Sequence, residues 1–267
     1  VFLHPAQREL VERSFNGPAR VSGSAGTGKT VVALHRAVHL ARSTPNARVL
    51  LTTFSDTLAH ALKGKLVSLI SNEPHLGERL EVHSVQAIGM RLYELNFGRP
   101  SIVSEEIIER LLLDAARKTE AERFSRRFLM NEWLEVVDAW QLGTWEEYRD
   151  VRRLGRKTRL PAKQRAALWD VFSHVQSVLS RRNLITYSQL FGRLASWFEN
   201  KPSPLEFVVV DESQDVSVAQ LRFLAALGAG RPNSLFFAGD LGQRIFQQPF
   251  SWKALGVDVR GRSRTLR

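Results

Sequence analysis

Gly23-Ser24-Ala25-Gly26-Thr27-Gly28-Lys29-Thr30 fits the pattern G-x-x-x-x-G-K-[ST], and no other stretch restricts the fold as strongly. Such a loop needs a strand to deliver it and a helix to leave from it, because its backbone N–H groups and the helix N-terminus converge on one anion. The flanking residues supply both. Ala19 to Ser22 reads as a short strand, and Val31, Leu34 and Val38 give the next helix an inward face. A strand–loop–helix unit of this kind belongs to a parallel sheet flanked by helices. The glycines let the backbone approach phosphate oxygens, Lys29 reaches the β and γ oxygens, and the Thr30 hydroxyl is placed to hold Mg²⁺. The plain alternative is a Gly/Ser-rich turn, which does not require the full eight-residue match.

The same alternation of strand and helix continues. Arg48 to Thr53 reads as a second strand, and Leu58, Leu62 and Leu66 mark the helix after it. Leu80 to His83 reads as a third strand, with Ser84 as cap of the following helix. From about Pro100 to Asn183 helical periodicity takes over, as in Ile107, Ile108, Leu111 and Leu112 behind the cap candidate Ser104. Trp133 and Trp140, seven apart, fall on one helical face and are read as core, with base stacking as the other reading. Strand signals return at Phe207 to Val210 and Ser234 to Ala238, around a helix from Val218 to Leu227. The expected architecture is α/β: a parallel sheet built from 1–99 and 184–267, with an all-helical subdomain, 100–183, inserted.

Composition bounds the partners. With 43% hydrophobic and 24% charged residues, the 267-residue chain is globular. It has no cysteine, which excludes disulfides and cysteine-based metal sites and suits a cytoplasmic location. No apolar run approaches the roughly 20 residues of a membrane span. A formal charge of +11 and a pI near 10.6 point to a polyanion, nucleic acid before others. Arg149, Arg152, Arg153, Arg156, Lys157, Arg159, Lys163 and Arg165 stand against the single acid Asp150, as a solvated face or as a phosphate-backbone contact. The chain starts at Val1 and stops at Arg267 after a basic run, and is expected to be a fragment of a longer protein.

Two further strings carry chemistry. Asp211 and Glu212 end an apolar run, and adjacent residues at a strand end point in different directions. Asp211 is placed to bind Mg²⁺ and Glu212 to orient and deprotonate an attacking water. Gly239-Asp240-Leu241-Gly242-Gln243 follows another apolar run. There Gln243 is either an uncharged sensor of a γ-phosphate or a polar turn residue. On the first helix, just after Pro5, the Gln7 amide offers the donor and acceptor that adenine N6 and N7 require, although Gln is common on helix surfaces.

In these strings the chain resembles the UvrD/Rep-type DNA helicases of superfamily 1, over nearly its whole length. Leu3-His4-Pro5-Ala6-Gln7-Arg8 looks like the adenine-reading Q motif, Gly23 to Thr30 like motif I, and Leu51-Thr52-Thr53-Phe54-Ser55-Asp56 like motif Ia. Val82-His83-Ser84 looks like motif Ib, Asp211-Glu212-Ser213-Gln214-Asp215 like motif II, and Gly239 to Phe246 like motif III. The resemblance implies a RecA-like P-loop lobe that binds ATP and Mg²⁺. Gln7 and Gly23, Ser24, Ala25, Gly26, Thr27, Gly28, Lys29 and Thr30 would hold the nucleotide, and Thr30 and Asp211 the metal. Lys29, Glu212 and Gln243 would be catalytic. Phe54, Ser55, His83 and Ser84 would contact single-stranded DNA or a single/double-strand junction, although Phe54 also reads as core and His83 as a satisfied strand-end group.

Gln214 followed by Asp215 implies the branch that moves 3′→5′, with Gln214 between nucleotide and DNA. Two departures stand out: Asp56 where the family often has Asn, and Gln247-Gln248-Pro249-Phe250-Ser251-Trp252 where it places an aromatic-basic pair that stacks DNA. Phe250 and Trp252 are the candidates to replace that pair. A second RecA-like lobe with its arginines is expected downstream. The rival readings are the motor of a helicase–nuclease and an ATP-gated binding module that does not unwind; an intact Glu212 weighs against the latter.

Overall fold

A computed structural model describes residues 3–151, 160–228, 230–240 and 251–266. Six parallel strands make one sheet in the order β3-β2-β4-β5-β1-β6. They are β1 (Ala19–Ser22), β2 (Val49–Thr53), β3 (Leu80–Ser84), β4 (Phe207–Val210), β5 (Leu235–Ala238) and β6 (Ser263–Thr265). Alternation along the strands divides the core in two. Val49, Leu51, Val209, Phe236 and Val21 face α1 (Pro5–Glu12), α2 (Lys29–Ser43) and α3 (Asp56–Leu69). Leu50, Val208, Val210 and Phe237 face α4 (Val85–Phe97), α9 (Tyr187–Glu199) and α10 (Val218–Gly228). Because both faces are covered, β2 is buried along its whole length, as a central parallel strand should be. This is the RecA-like layout expected from the motif order.

Between β3 and β4 the chain leaves the sheet. Ile102 and Ile185 form a parallel bridge, and the intervening residues build α5 (Glu105–Ala116), α6 (Arg126–Glu132), α7 (Trp145–Asp150) and α8 (Ala162–Arg181). These helices enclose a core of their own around Leu112, Trp133, Val137, Tyr148, Leu168 and Phe172. Trp133 lies in that core, 1% exposed. Trp140 follows a π-helical turn over Trp133–Asp138 and packs against the same core. It is half-buried between the insert's core and the core beneath α9 and α10.

Two local expectations are corrected, and one strand had no counterpart among them. Ser104 occupies the cap position of α5 without bonding the helix N–H groups, and serves the Glu106 carboxylate instead. On α2 Leu34 and Val38 are buried as expected, but Val31 is only half-buried and Val32 beside it is fully buried, because this helix packs on both α1 and the sheet. The edge strand β6 gave no alternating signal, since Ser263-Arg264-Thr265 is polar throughout.

Asp138 joins the insert to the start of α9. Its Oδ1 accepts from Thr186 Oγ1 at 2.6 Å, Gln141 donates to its carbonyl at 2.6 Å, and Thr186 caps α9 in a capping box. Burial pushes the Asp138 carboxyl above the usual range, against the Thr186, Ser188 and Gln141 bonds, which lower it. A raised folded-state value means that this group's contribution to stability is complete below the ordinary carboxylate range and is lost as the pH rises through the folded value. Asp138→Ala should cost about 1–3 kcal/mol, by taking away the acceptor of the buried Thr186 hydroxyl, and should remove the fall in stability with rising pH that this carboxyl contributes above the ordinary carboxylate range. Urea unfolding across a pH series measures both, and an unchanged slope would refute the assignment.

Candidate active site

The carboxyl ends of β4, β5 and β1 are neighbours in the sheet, so the three chemistry-bearing strings converge on one edge. This is where ligands bind in open parallel sheets. The phosphate loop leaves β1 and enters α2 at Gly28, whose φ of 86° is left-handed and which supplies no side-chain cap. The first N–H groups of α2 are thus left for an anion. Lys29 is 9% exposed and its Nζ donates to the carbonyls of Gly23 and Ser24, each at 2.8 Å. Thr27 Oγ1 donates to Ser24 O at 2.9 Å and tightens the same turn.

Asp211 is 3% exposed at the end of β4, and its carboxylate is bonded by Thr30. Burial pushes it up to about 6; the Thr30 bond opposes this, Glu212 adds to it, and Lys29 again opposes it. Its Oδ1 is buried with no hydrogen-bond partner. The hydroxyl of Thr53, also buried and unpartnered, ends the adjacent strand on the same face, one step beyond the Thr52–Val210 pair. An unpaired carboxylate oxygen beside a threonine hydroxyl fits Mg²⁺, a hard cation that takes one or two protein oxygens and completes its shell with phosphate and water. Among the described residues no group of three or more His, Asp or Glu side chains could cage a metal alone. Thr53 was missed in the sequence because its signal, a strand-end hydroxyl inside a β-branched run, is the same as ordinary strand composition.

Glu212 adopts a left-handed conformation, φ 51° and ψ 44°, which is strained for a non-glycine residue. That turn separates its carboxylate from Asp211. Glu212 Oε2 accepts from Gln214 Nε2 at 2.6 Å, and Gln214 Oε1 accepts from the N–H of Asp240 at 3.0 Å. One buried amide therefore ties the end of β4 to the end of β5. The neighbour of Asp240 must be glycine: a Cβ on Gly239 would stand 2.6 Å from Gln214 Oε1 and 2.9 Å from the backbone N of Ser213. Gln243 lies outside the described residues, as do Phe246 and Phe250.

Gln7 caps its own helix, its Oε1 accepting from His4 N at 3.1 Å, while Nε2 donates to Thr27 O in the phosphate loop at 3.3 Å. A Cβ on Gly28 would collide with that Nε2. The amide is thus seated on the loop.

The ends of β2 and β3 form the neighbouring stretch of the same edge. Phe54 is 43% exposed, which removes its core reading. Ser55 caps α3, accepting from Leu58 N at 3.3 Å. Ser84 is a correction: it is 1% exposed, accepts from Ala87 N and donates to Asp56 Oδ1 at 2.5 Å, so its hydroxyl is committed to joining α3 and α4. The acid at position 56 has a structural role in that bond. His83 is half-exposed, 3.4 Å from Glu81, and its imidazole is held below its usual value by burial and then by Arg91, hence neutral near pH 7. Trp252, a stacking candidate, is instead core, 7% exposed and edge-on to Phe237 at 4.8 Å. In the basic stretch, Arg149 pairs with Asp150 and Lys163 with Glu120; Arg152, Arg153, Arg156, Lys157 and Arg159 lie outside the described residues. No described helix is long and apolar enough to cross a membrane.

Residues 3–251 match the family described as the UvrD/REP helicase N-terminal domain. The chain is 24% identical over 271 residues to a protein named ATP-dependent DNA helicase PcrA from Staphylococcus epidermidis, covering 96% of this chain and 35% of that one. It is likewise 24% identical, over 274 residues, to the protein of the same name from Staphylococcus aureus strain COL, again covering 96% of this chain. The chain spans about a third of the length of these relatives. With the family match running through nearly all of it, the chain belongs to the UvrD/REP helicase N-terminal domain family.

Proposed function

We propose that this chain is the ATP-binding and ATP-hydrolysing part of a DNA helicase motor that moves 3′→5′ along single-stranded DNA. The observation that carries this reading is the meeting of Lys29 and Thr30, Asp211 and Glu212, and the Gln214–Asp240 link at the ends of three adjacent strands. Lys29 exchanges two neutral carbonyl acceptors for charged phosphate oxygens, which roughly doubles the strength of each bond. Thr30 and Asp211 would hold Mg²⁺, which when bound neutralises charge on the phosphoryl oxygens. Glu212, fixed by Gln214, takes the proton of the attacking water. Gln7 reads the adenine edge from its seat on the loop. Exposed Phe54 offers a face to a base on the adjoining strand end, with Ser55 and His83 beside it.

Relatives about three times as long leave room for a second RecA-like lobe. Its arginines would meet the charge developing on the γ-phosphate, a contribution on the order of 10³–10⁵ in rate. The test uses the full-length protein: steady-state ATPase with and without oligonucleotide, and displacement of a duplex carrying either a 3′ or a 5′ single-stranded tail. Stimulation by single strands and displacement from the 3′ tail are expected. Stimulated ATPase without displacement would favour the ATP-gated module, and no stimulation would sink the reading.

A further inference from the structure

Arg36 is 1% exposed, yet its hydrogen-bond partners are all neutral. Its Nη1 donates to the carbonyls of Val11 and Arg13 at 2.6 and 2.7 Å, and its Nη2 donates to Asn233 Oδ1 at 2.9 Å. The guanidinium also lies over the rings of Phe15 and Phe236, at 5.2 and 5.5 Å from their centroids. A charge taken out of water without a carboxylate is costly and persists only where the surroundings repay it. Here the repayment is specific. Val11 lies in the last turn of α1 and Arg13 is its C-cap, the negative end of that helix dipole. Asn233, at the turn before β5, simultaneously accepts from Phe15 N at 2.7 Å, so the chain leaving α1 is gripped twice.

Arg36 lies on the helix that begins at Lys29, two turns beyond it. The other end of α1 carries Gln7, which rests on Thr27 and Gly28 at the start of that same α2. Beyond the apolar packing of Leu10 and Val11 against α2, α1 has two polar anchors: Gln7 against the phosphate loop, and its C-terminus against Arg36. An eight-residue helix is too short to hold its own orientation in water. We infer that Arg36 is a positioning residue for nucleobase recognition, fixing α1 so that the Gln7 amide stays in register with the phosphate loop. The inference rests on the reading of Gln7 as the adenine contact.

The test compares Mg·ATP with Mg·GTP in the ATPase of the full-length protein, for Gln7→Ala, Arg36→Met, the double variant and Asn233→Ala. Arg36→Met removes the charge and the three donated bonds while keeping an unbranched apolar stem. It should raise KM for ATP by about tenfold, the scale of one lost hydrogen bond, with the effect falling on KM rather than kcat. Its ATP-over-GTP preference should fall to that of Gln7→Ala, and the double variant should fall no further, as for two residues acting through one contact. Asn233→Ala, which keeps the cation but frees one of its anchors, should give a smaller loss of preference, and it carries the test if Arg36→Met does not fold. If Gln7→Ala loses the preference while Arg36→Met, or Asn233→Ala in its place, retains it, Arg36 is only a core staple and the inference is overturned. If Gln7→Ala itself retains the preference, the adenine reading fails and takes this inference with it.

Discussion

Glu212→Gln is expected to leave Mg·ATP binding intact and to slow turnover of the full-length protein by about 10²–10⁴-fold, the usual contribution of a general base. The substitution is conservative in this setting. Glu212 uses Oε2 to accept from Gln214 Nε2, and an amide oxygen at the same place still accepts that bond. The strained turn at φ 51° depends on the backbone and is unaffected. What disappears is the capacity to take a proton from water. Single-turnover hydrolysis together with calorimetric binding separates the two effects. A slowing of less than about tenfold would mean that some other group activates the water.

Lys29→Ala should weaken Mg·ATP binding by about 10²-fold or more, the scale of one or two hydrogen bonds to charged groups. The fold itself should tolerate the change. Lys29 is held by the carbonyls of buried Gly23 and exposed Ser24, and removing the ammonium leaves a space that water can fill from the Ser24 side. Titration calorimetry with Mg·ATP reads the affinity, and thermal unfolding without nucleotide reads the fold. Unchanged affinity would remove the phosphate-loop assignment, whatever the motif suggests.

Strands β1 to β5 and the phosphate loop were legible because each is a local pattern. Apolar runs such as Phe207 to Val210 are long enough to name a buried strand, and the turn into α2 is spelled out by its glycines and by Lys29 and Thr30. Features that depend on partners far away in sequence were not legible. Arg36 reads as a polar residue on a helix, and nothing nearby says that Val11, Arg13 and Asn233 will surround it. Ser84 reads correctly as a cap, but its burial follows from Asp56, which arrives on another helix. The Trp133 and Trp140 pair was legible as core packing, although a π turn between them departs from the 3.6-residue period that suggested it. Trp252 looked available for stacking until Phe237 closed over it. At the candidate site the sequence named the participants, whereas the Gln214 bridge from Glu212 to Asp240 required the order of the strands.

That strand order also sets a timetable for synthesis. The strand that carries the phosphate loop, β1, is made long before either of its sheet neighbours: β5 pairs with Ala19 to Val21, and β6 with Arg20 to Ser22. Beside the loop itself, the Leu266 N–H donates to the carbonyl of Ser22. The earlier strands β2 and β3 can pair as a ribbon while the ribosome is still working, but β1 has no edge to join until residues 235–265 have emerged. At ordinary elongation rates that interval is roughly ten seconds to a minute. Throughout it the apolar stripe of α2 and the bare edges of β1 have to be shielded by nascent-chain chaperones or by loose collapse. Substitutions that slow the late strands would therefore appear first as lost yield of soluble protein, before any loss of activity in the molecules that succeed.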